Sequence, residues 1–278
     1  MRPPVLPLPL RRSPLALAAL AAVVAWAVLA AAAPLLAPYE PLRQDIAHRL
    51  APPGSRHWFG TDALGRDVLS RILFGARLSI PVGIGTVALA ALVGTLVGSA
   101  AGFCGKLVDE ALMRVTDLML SFPTVILALV ITAALGAGLG NAVLAIVVAW
   151  WPSFARLTRG LVLAAREREF VQGAVGLGAS DLRVLFRHVL PDVVSPIVVL
   201  STLDVGLAIL TFASLSFLGL GPSPDVPEWG SMIAASRHHF DQWWIGTFPG
   251  LAILNLALAF NVVGDSLRDA MDPRLRKV

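Results

Sequence analysis

Charge is scarce in this chain of 278 residues: Asp, Glu, Lys and Arg make up 14%, where a soluble domain carries about 25%. Hydrophobic residues reach 56% and the mean hydropathy is +0.77. Together these exclude an ordinary soluble enzyme, and also a disordered chain, which would be polar and charge-rich. Cysteine is nearly absent. Cys104 stands alone, forms no internal disulfide and reads as a small apolar packing residue. No Gly-x4-Gly-Lys-Ser/Thr phosphate loop occurs, and the nearest run, Gly102 to Lys106, has the wrong spacing, so the chain is not expected to bind ATP itself. The apolar stretches hold no Ser/His, paired-Asp or His-Glu-x-x-His constellation, which argues against an intramembrane hydrolase. They hold essentially one ionisable residue, Asp204. A secondary transporter would show internal repeats and several such groups.

What is present is apolar sequence in blocks of about twenty residues, the length that crosses a bilayer core as a helix. Six blocks are predicted as spans, at 15–37, 78–103, 120–138, 140–157, 193–221 and 246–265. The first is too long for the apolar core of a cleaved signal peptide and reads as an uncleaved span. With the N-terminus inside, fifteen of the 22 Lys and Arg fall in inside segments and seven outside. That bias predicts both termini in the cytoplasm. It also gives the bland account of the net charge of +4, which in a soluble protein would suggest nucleic acid. Pro81, Pro123, Pro152, Pro196 and Pro249 are expected to kink helices or to mark their ends. Gly94, Gly98 and Gly102 recur every four residues, a stripe that lets another helix approach closely.

The most informative segment is the loop 156–192, too charged to span and too regular for a linker. A first helix is predicted to run on from the fourth span through Leu177, broken by Gly176 and Gly178. Ser180 suits the N-cap of a second helix, with Asp181 in its first turn. Leu182, Leu185, Phe186 and Val189 then follow at i, i+3, i+4 and i+7, giving one apolar face, and Pro191 is expected to stop the helix. Such a hairpin could lie on the membrane surface or dock in a groove of a cytosolic partner; composition does not separate the two.

The same segment resembles the cytoplasmic loop of bacterial ABC importer permeases, whose pattern is Glu-Ala-Ala, three residues, Gly, nine residues, Ile, one residue, Leu-Pro. Here Gln172-Gly173-Ala174, Gly178 and Leu190-Pro191 fall at those positions, with Gln172 for Glu, Gly173 for Ala and His188 for Ile. The ending Arg187 to Pro191 resembles the peptide and nickel branch. Further blocks match that branch in order: His57 to Asp62, Leu64 to Asp67, Asp109 to Pro123, Ser216 to Gly221, Glu228 to Gly230, Phe248 to Gly250, Asn261, Gly264-Asp265, Leu267 to Asp269 and Asp272-Pro273. Nearly the whole chain is covered, and it is similar to the C-type permease subunit of dipeptide/oligopeptide/nickel importers.

The resemblance implies an all-α polytopic fold of six spans, with an N-terminal region 1–77 and a permease core 78–278. It implies a second permease subunit, two cytosolic ATPases that carry ATP and magnesium, and an external substrate-binding protein, around a non-catalytic subunit that holds no cofactor or metal. Glu169, Gln172, Gly173, Ala174 and Gly178 would be the core of the ATPase-coupling contact, with Ser180, Asp181, Arg187 and Pro191 completing it. The expected cargo is short peptides, with nickel, free or chelated, as the alternative. Asp204 is a candidate for the translocation path, since ionisable groups inside spans are costly and often functional; an interhelical hydrogen bond is the plainer role. Asp117 and Asp265 are expected to be solvated or capping. His238, His239 and Asp241 are too few to hold a metal by themselves. Trp243 and Trp244 fit an interfacial belt. The segment 40–77 is expected to pack on the outer surface or meet the binding protein.

Overall fold

The computed structural model describes residues 13–271, which form helices joined by loops, with no strand among them. The first helix, α1 (Pro14–Ala31), is capped by Ser13, whose hydroxyl accepts from the Ala16 N–H, and a short α2 (Ala33–Leu36) follows. The longest helices are α3 (Val68–Phe103), α6 (Leu139–Arg166), α9 (Leu190–Phe217) and α11 (Trp244–Met271). Between α3 and α6 lie α4 (Lys106–Leu120) and α5 (Thr124–Leu135), bent by 88° at Ser121–Pro123. Five helices are long and apolar enough to cross a membrane, and the bent pair makes a sixth crossing if counted as one.

The spans differ from the sequence expectation mainly in length. α3 begins at Val68 rather than at 78, because the side chain of Asp67 caps it by accepting from the Ser70 N–H. Pro81, Pro152, Pro196 and Pro249 therefore lie inside helices, and only Pro123 marks an end. The third predicted span, 120–138, is a helix of 12 residues beyond a sharp bend, with Asn141 Nδ2 donating to the carbonyls of Leu135 and Gly136 at its far end.

The core forms where α3 crosses α6, the most extensive helix contact in the molecule. Gly94, Gly98 and Gly102 make that crossing. A β-carbon on Gly94 would come within 2.5 Å of the Trp151 carbonyl oxygen, and one on Gly98 would overlap the Ala155 carbonyl oxygen. Polar side chains fasten the same end: Arg159 holds Asp109 with two nitrogens, Arg156 holds Asp117, and Arg166 donates to the Gly102 carbonyl at 2.8 Å. Asp117 is thus ion-paired rather than merely solvated, while Asp265 is exposed. Cys104 is exposed at the end of α3, not packed as expected.

The opposite end is covered by the segment 37–67 and by α10 (Trp229–Ser236). Thr61 Oγ accepts from the Ala51 N–H and donates to the His48 carbonyl, while Phe59 stacks on Phe248 at 4.1 Å. Gly65 sits at φ +74 with the Asp45 carbonyl against it, a turn no side chain fits. Trp244 is buried there, its indole donating to the Thr61 carbonyl; only Trp243 is exposed as a belt residue would be. Glu228 is fully buried and caps α10 by accepting from the Gly230 and Ser231 N–H groups. Burial pushes its carboxyl above the ordinary 4.5 although those two bonds oppose the shift. A raised carboxyl favours folding below the unfolded value and loses that contribution as pH rises through the folded one. Glu228→Gln should therefore gain apparent Tm relative to wild type as pH is raised from 4.5 to 8; a pH-independent difference would refute this.

Candidate functional site

At the end of the bundle where α3 and α4 meet, the chain leaves α6 at Arg166 and folds into α7 (Glu169–Gly176) and α8 (Asp181–Val184). The predicted continuous helix through Leu177 is thus interrupted at Glu167–Arg168. Gln172 Nε2 caps the broken end by donating to the Arg166 carbonyl at 2.8 Å. After α7 the Ala179 N–H bonds to the Ala174 carbonyl and the Gly178 N–H to that of Val175, with Gly178 at φ +81. This six-to-one and five-to-two pair closes a helix through a left-handed residue, which glycine adopts without steric cost. Ser180 stands at the N-cap of α8 as expected, though its side chain makes no capping bond.

Pro191 does not end the second helix. Residues Leu185–Val189 widen into a π turn, in which the Leu190 N–H reaches back to the Leu185 carbonyl, and α9 continues through Pro191 in its first turn. Proline there lacks only an N–H that a first turn leaves unpaired. Arg168 and Asp192 pair at 2.7 Å and tie the entry of α7 to the start of α9.

The apolar face predicted on 182–189 divides. Val189 is buried and Leu185 half-buried against the bundle, where Val184, which is outside the predicted face, and Val171 of α7 join them. Leu182 and Phe186 point outward, together with Phe170, Val175 and Leu177; Leu177 is 91% exposed. Around them lie Glu169, Gln172, Gly173, Gly178, Ser180, Asp181, Arg187 and Pro191, all exposed, and Ala174, half-buried. Nine of the ten sequence-nominated residues thus lie in this one segment, eight of them exposed, beside five bare apolar side chains, and exposed apolar side chains rimmed by polar groups are the composition of a contact site.

Asp204 is elsewhere. It lies half-buried on α9, about 20 Å along the helix from Pro191 at 1.5 Å per residue. No hydrogen bond or ion pair engages its carboxylate among the described residues, so the interhelical-bond role is not seen. Its neighbour Leu203 lines a groove of about 640 Å³ between α6, α9 and α11, whose polar rim includes Arg168, Asp192 and Arg268. His238 and Asp241 are exposed and His239 half-buried; no group of three or more metal-ligating side chains gathers among the described residues. Sequence reasoning missed the Arg159–Asp109 and Arg168–Asp192 pairs. Their partners lie far apart in the chain, and no periodicity signals such contacts.

Residues 94–277 match the family described as binding-protein-dependent transport system inner membrane component, and residues 9–53 match the N-terminal TM domain of oligopeptide transport permease C. Among curated proteins, the chain is 42% identical to the dipeptide transport system permease protein of Alkalihalophilus pseudofirmus, over 96% of this chain and 88% of that protein. It is 42% identical to the probable D,D-dipeptide transport system permease protein of Escherichia coli, over 95% and 89%. It is 44% identical to the glutathione transport system permease protein of Pectobacterium atrosepticum, over 81% and 75%. Among solved structures, an inward-facing conformation of the MetNI methionine ABC transporter superposes with a TM-score of 0.60 at 14% identity, covering 73% of this chain and 98% of that one. At that identity the likeness is one of fold.

Proposed function

The chain belongs to the family of binding-protein-dependent transport system inner membrane components, and from that premise we propose that it is the C-type permease subunit of an ATP-driven importer of di- and oligopeptides. It is a multi-pass inner-membrane protein. The observation that carries the mechanism is the bare patch of Phe170, Val175, Leu177, Leu182 and Phe186 on α7, α8 and the π turn. Exposed apolar side chains on a braced helix pair between two spans suit docking in a cleft of a cytosolic ATPase. The chain has no phosphate loop, so ATP and magnesium are assigned to two partner ATPases and this subunit is non-catalytic. We place both termini on the side of the coupling surface; residues 1–12 and 272–278, which carry six of the supporting Lys and Arg, lie outside the described residues. A second permease completes the pathway, and an external binding protein delivers the cargo. Nothing in the relatives named above favours nickel.

ATP binding that closes the ATPases would pull on α7 and α8. The π turn and the Arg168–Asp192 bridge pass that pull to α9, biasing inward- against outward-open states. Asp204 on α9 then lies where a peptide amino group could meet it. The test is ATP hydrolysis by the reconstituted complex with its binding protein. Dipeptide and oligopeptide mixtures should stimulate it; stimulation by nickel and not by peptides would overturn the assignment. Asp204→Asn should cut peptide uptake several-fold while the ATPases still co-purify. Unchanged uptake would leave Asp204 a packing residue.

A further inference from the structure

Arg71, in the first turn of α3, is 3% exposed, and its Nη1 has no hydrogen-bond partner. The nearest carboxylate is already committed. Asp62 Oδ1 accepts from the Leu64 and Arg66 N–H groups, and Oδ2 accepts from Arg66 Nε at 2.7 Å, leaving Arg71 Nε 3.8 Å away. Asp225 is exposed and forms no ion pair among the described residues. Two buried guanidinium groups therefore share one carboxylate. An unpaired donor on a buried cation is costly to keep.

Arg66 and Arg71 line one cavity of about 70 Å³, at the end of the bundle opposite α7 and α8. Its other walls include Val68, Met232 and Ile245, and Ala235 stands exposed at its edge. The residues that line the cavity thus set two guanidinium groups against one carboxylate, with exposed Asp225 acting on Arg71 from outside the lining, and its apolar walls suit a short carbon stem. A guanidinium meets a carboxylate with paired hydrogen bonds in a way it meets no spherical ion.

We propose that this cavity seats one carboxylate on a short apolar stem, held by Arg71 with Arg66 beside it. Two sources carry that group to this end of the molecule: the C-terminus of a peptide, and an acidic side chain of a protein docked there. The site concerns the permease chain alone and does not depend on the coupling surface, so its test does not use transport.

The purified full chain is titrated with sodium acetate at constant ionic strength, replacing sodium chloride, and apparent Tm is followed. Acetate should raise it saturably by roughly 3 °C, with a change in tryptophan emission, since Trp229 donates to the Ile72 carbonyl beside Arg71. Arg71→Gln should abolish both responses. Because that variant could fold poorly, Ala235→Trp provides a second: it plugs the mouth from an exposed position and leaves Arg71 intact. No saturable response to acetate, an equal response to chloride, or a response kept in both variants would overturn the site, leaving water on Arg71. Two further arms use the assembled importer to separate the sources. Competition with acetate by a free peptide but not by its C-terminal amide assigns the site to cargo. Weakened docking of the external protein in acetate assigns it to an acidic side chain. Either result supports the carboxylate site.

Discussion

Gly178→Asp should abolish uptake while leaving the permease inserted in the membrane at wild-type amounts. The expectation rests on two unequal costs. Gly178 sits at φ +81 with no atom near its absent side chain, so aspartate adds backbone strain but no clash. Aspartate enters the left-handed region more readily than most residues, at about 1 kcal/mol, too little to unfold the bundle. At the docking surface the same change places an unpaired carboxylate next to Leu177, at the edge of the bare apolar side chains. A charge left unpaired in an interface costs about 2–5 kcal/mol, and each 1.4 kcal/mol is about tenfold in affinity. ATPase docking should therefore weaken by roughly thirty- to several-thousandfold. Uptake, membrane-inserted protein and ATPase co-purification are measured together. Gly178→Ala carries the strain without the charge and should retain most uptake. Normal uptake by Gly178→Asp would remove 169–187 from the coupling role, and equal loss in the alanine variant would trace the defect to turn geometry.

That surface was legible in the sequence because its signals are local. The Gly178 turn, the Ser180 N-cap position and the apolar spacing of 182–189 each involve residues within one or two turns. What could not be read was how the apolar face would be shared. Periodicity alone does not say that Leu185 and Val189 turn inward while Leu182 and Phe186 turn out; that division follows from where α9 and α6 stand. Pro191 misled for a related reason. A proline signals a lost N–H and a clash with the preceding turn, and a π turn removes the clash by widening the ladder just before it. The start of α3 was hidden by Arg71 and Arg77, which look foreign to a span. Asp62 and the loop around it shelter Arg71, and Arg77 lies over the Phe74 ring. The exposed patch and the candidate path at Asp204 thus have different standing in the sequence: the first is a pattern, the second a lone residue whose setting only the packing of α9 reveals.

The second large effect should come from the glycine stripe, where two terms of opposite sign meet at one position. Gly98→Leu gains helix propensity of about 0.8 kcal/mol. It also drives a side chain into the backbone of α6, since a β-carbon there would overlap the Ala155 carbonyl oxygen and stand 2.7 Å from Thr158 Cβ. Overpacking a close core contact typically costs about 1–3 kcal/mol, and here the obstacle is backbone, which cannot rotate away. The clash should win, push α6 from α3, and strain the Arg159–Asp109 pair, which adjoins Thr158 on α6. Gly85→Leu is the matched control on the same helix. No atom lies within 4 Å of its β-carbon position, so only the propensity gain applies. In detergent, Gly98→Leu should lower apparent Tm by several degrees and reduce the recovered monodisperse protein, while Gly85→Leu should match or slightly exceed wild type. If both behaved like wild type, the α3–α6 crossing would be looser than described. If both fell equally, the defect would lie in leucine on α3 and not in the crossing.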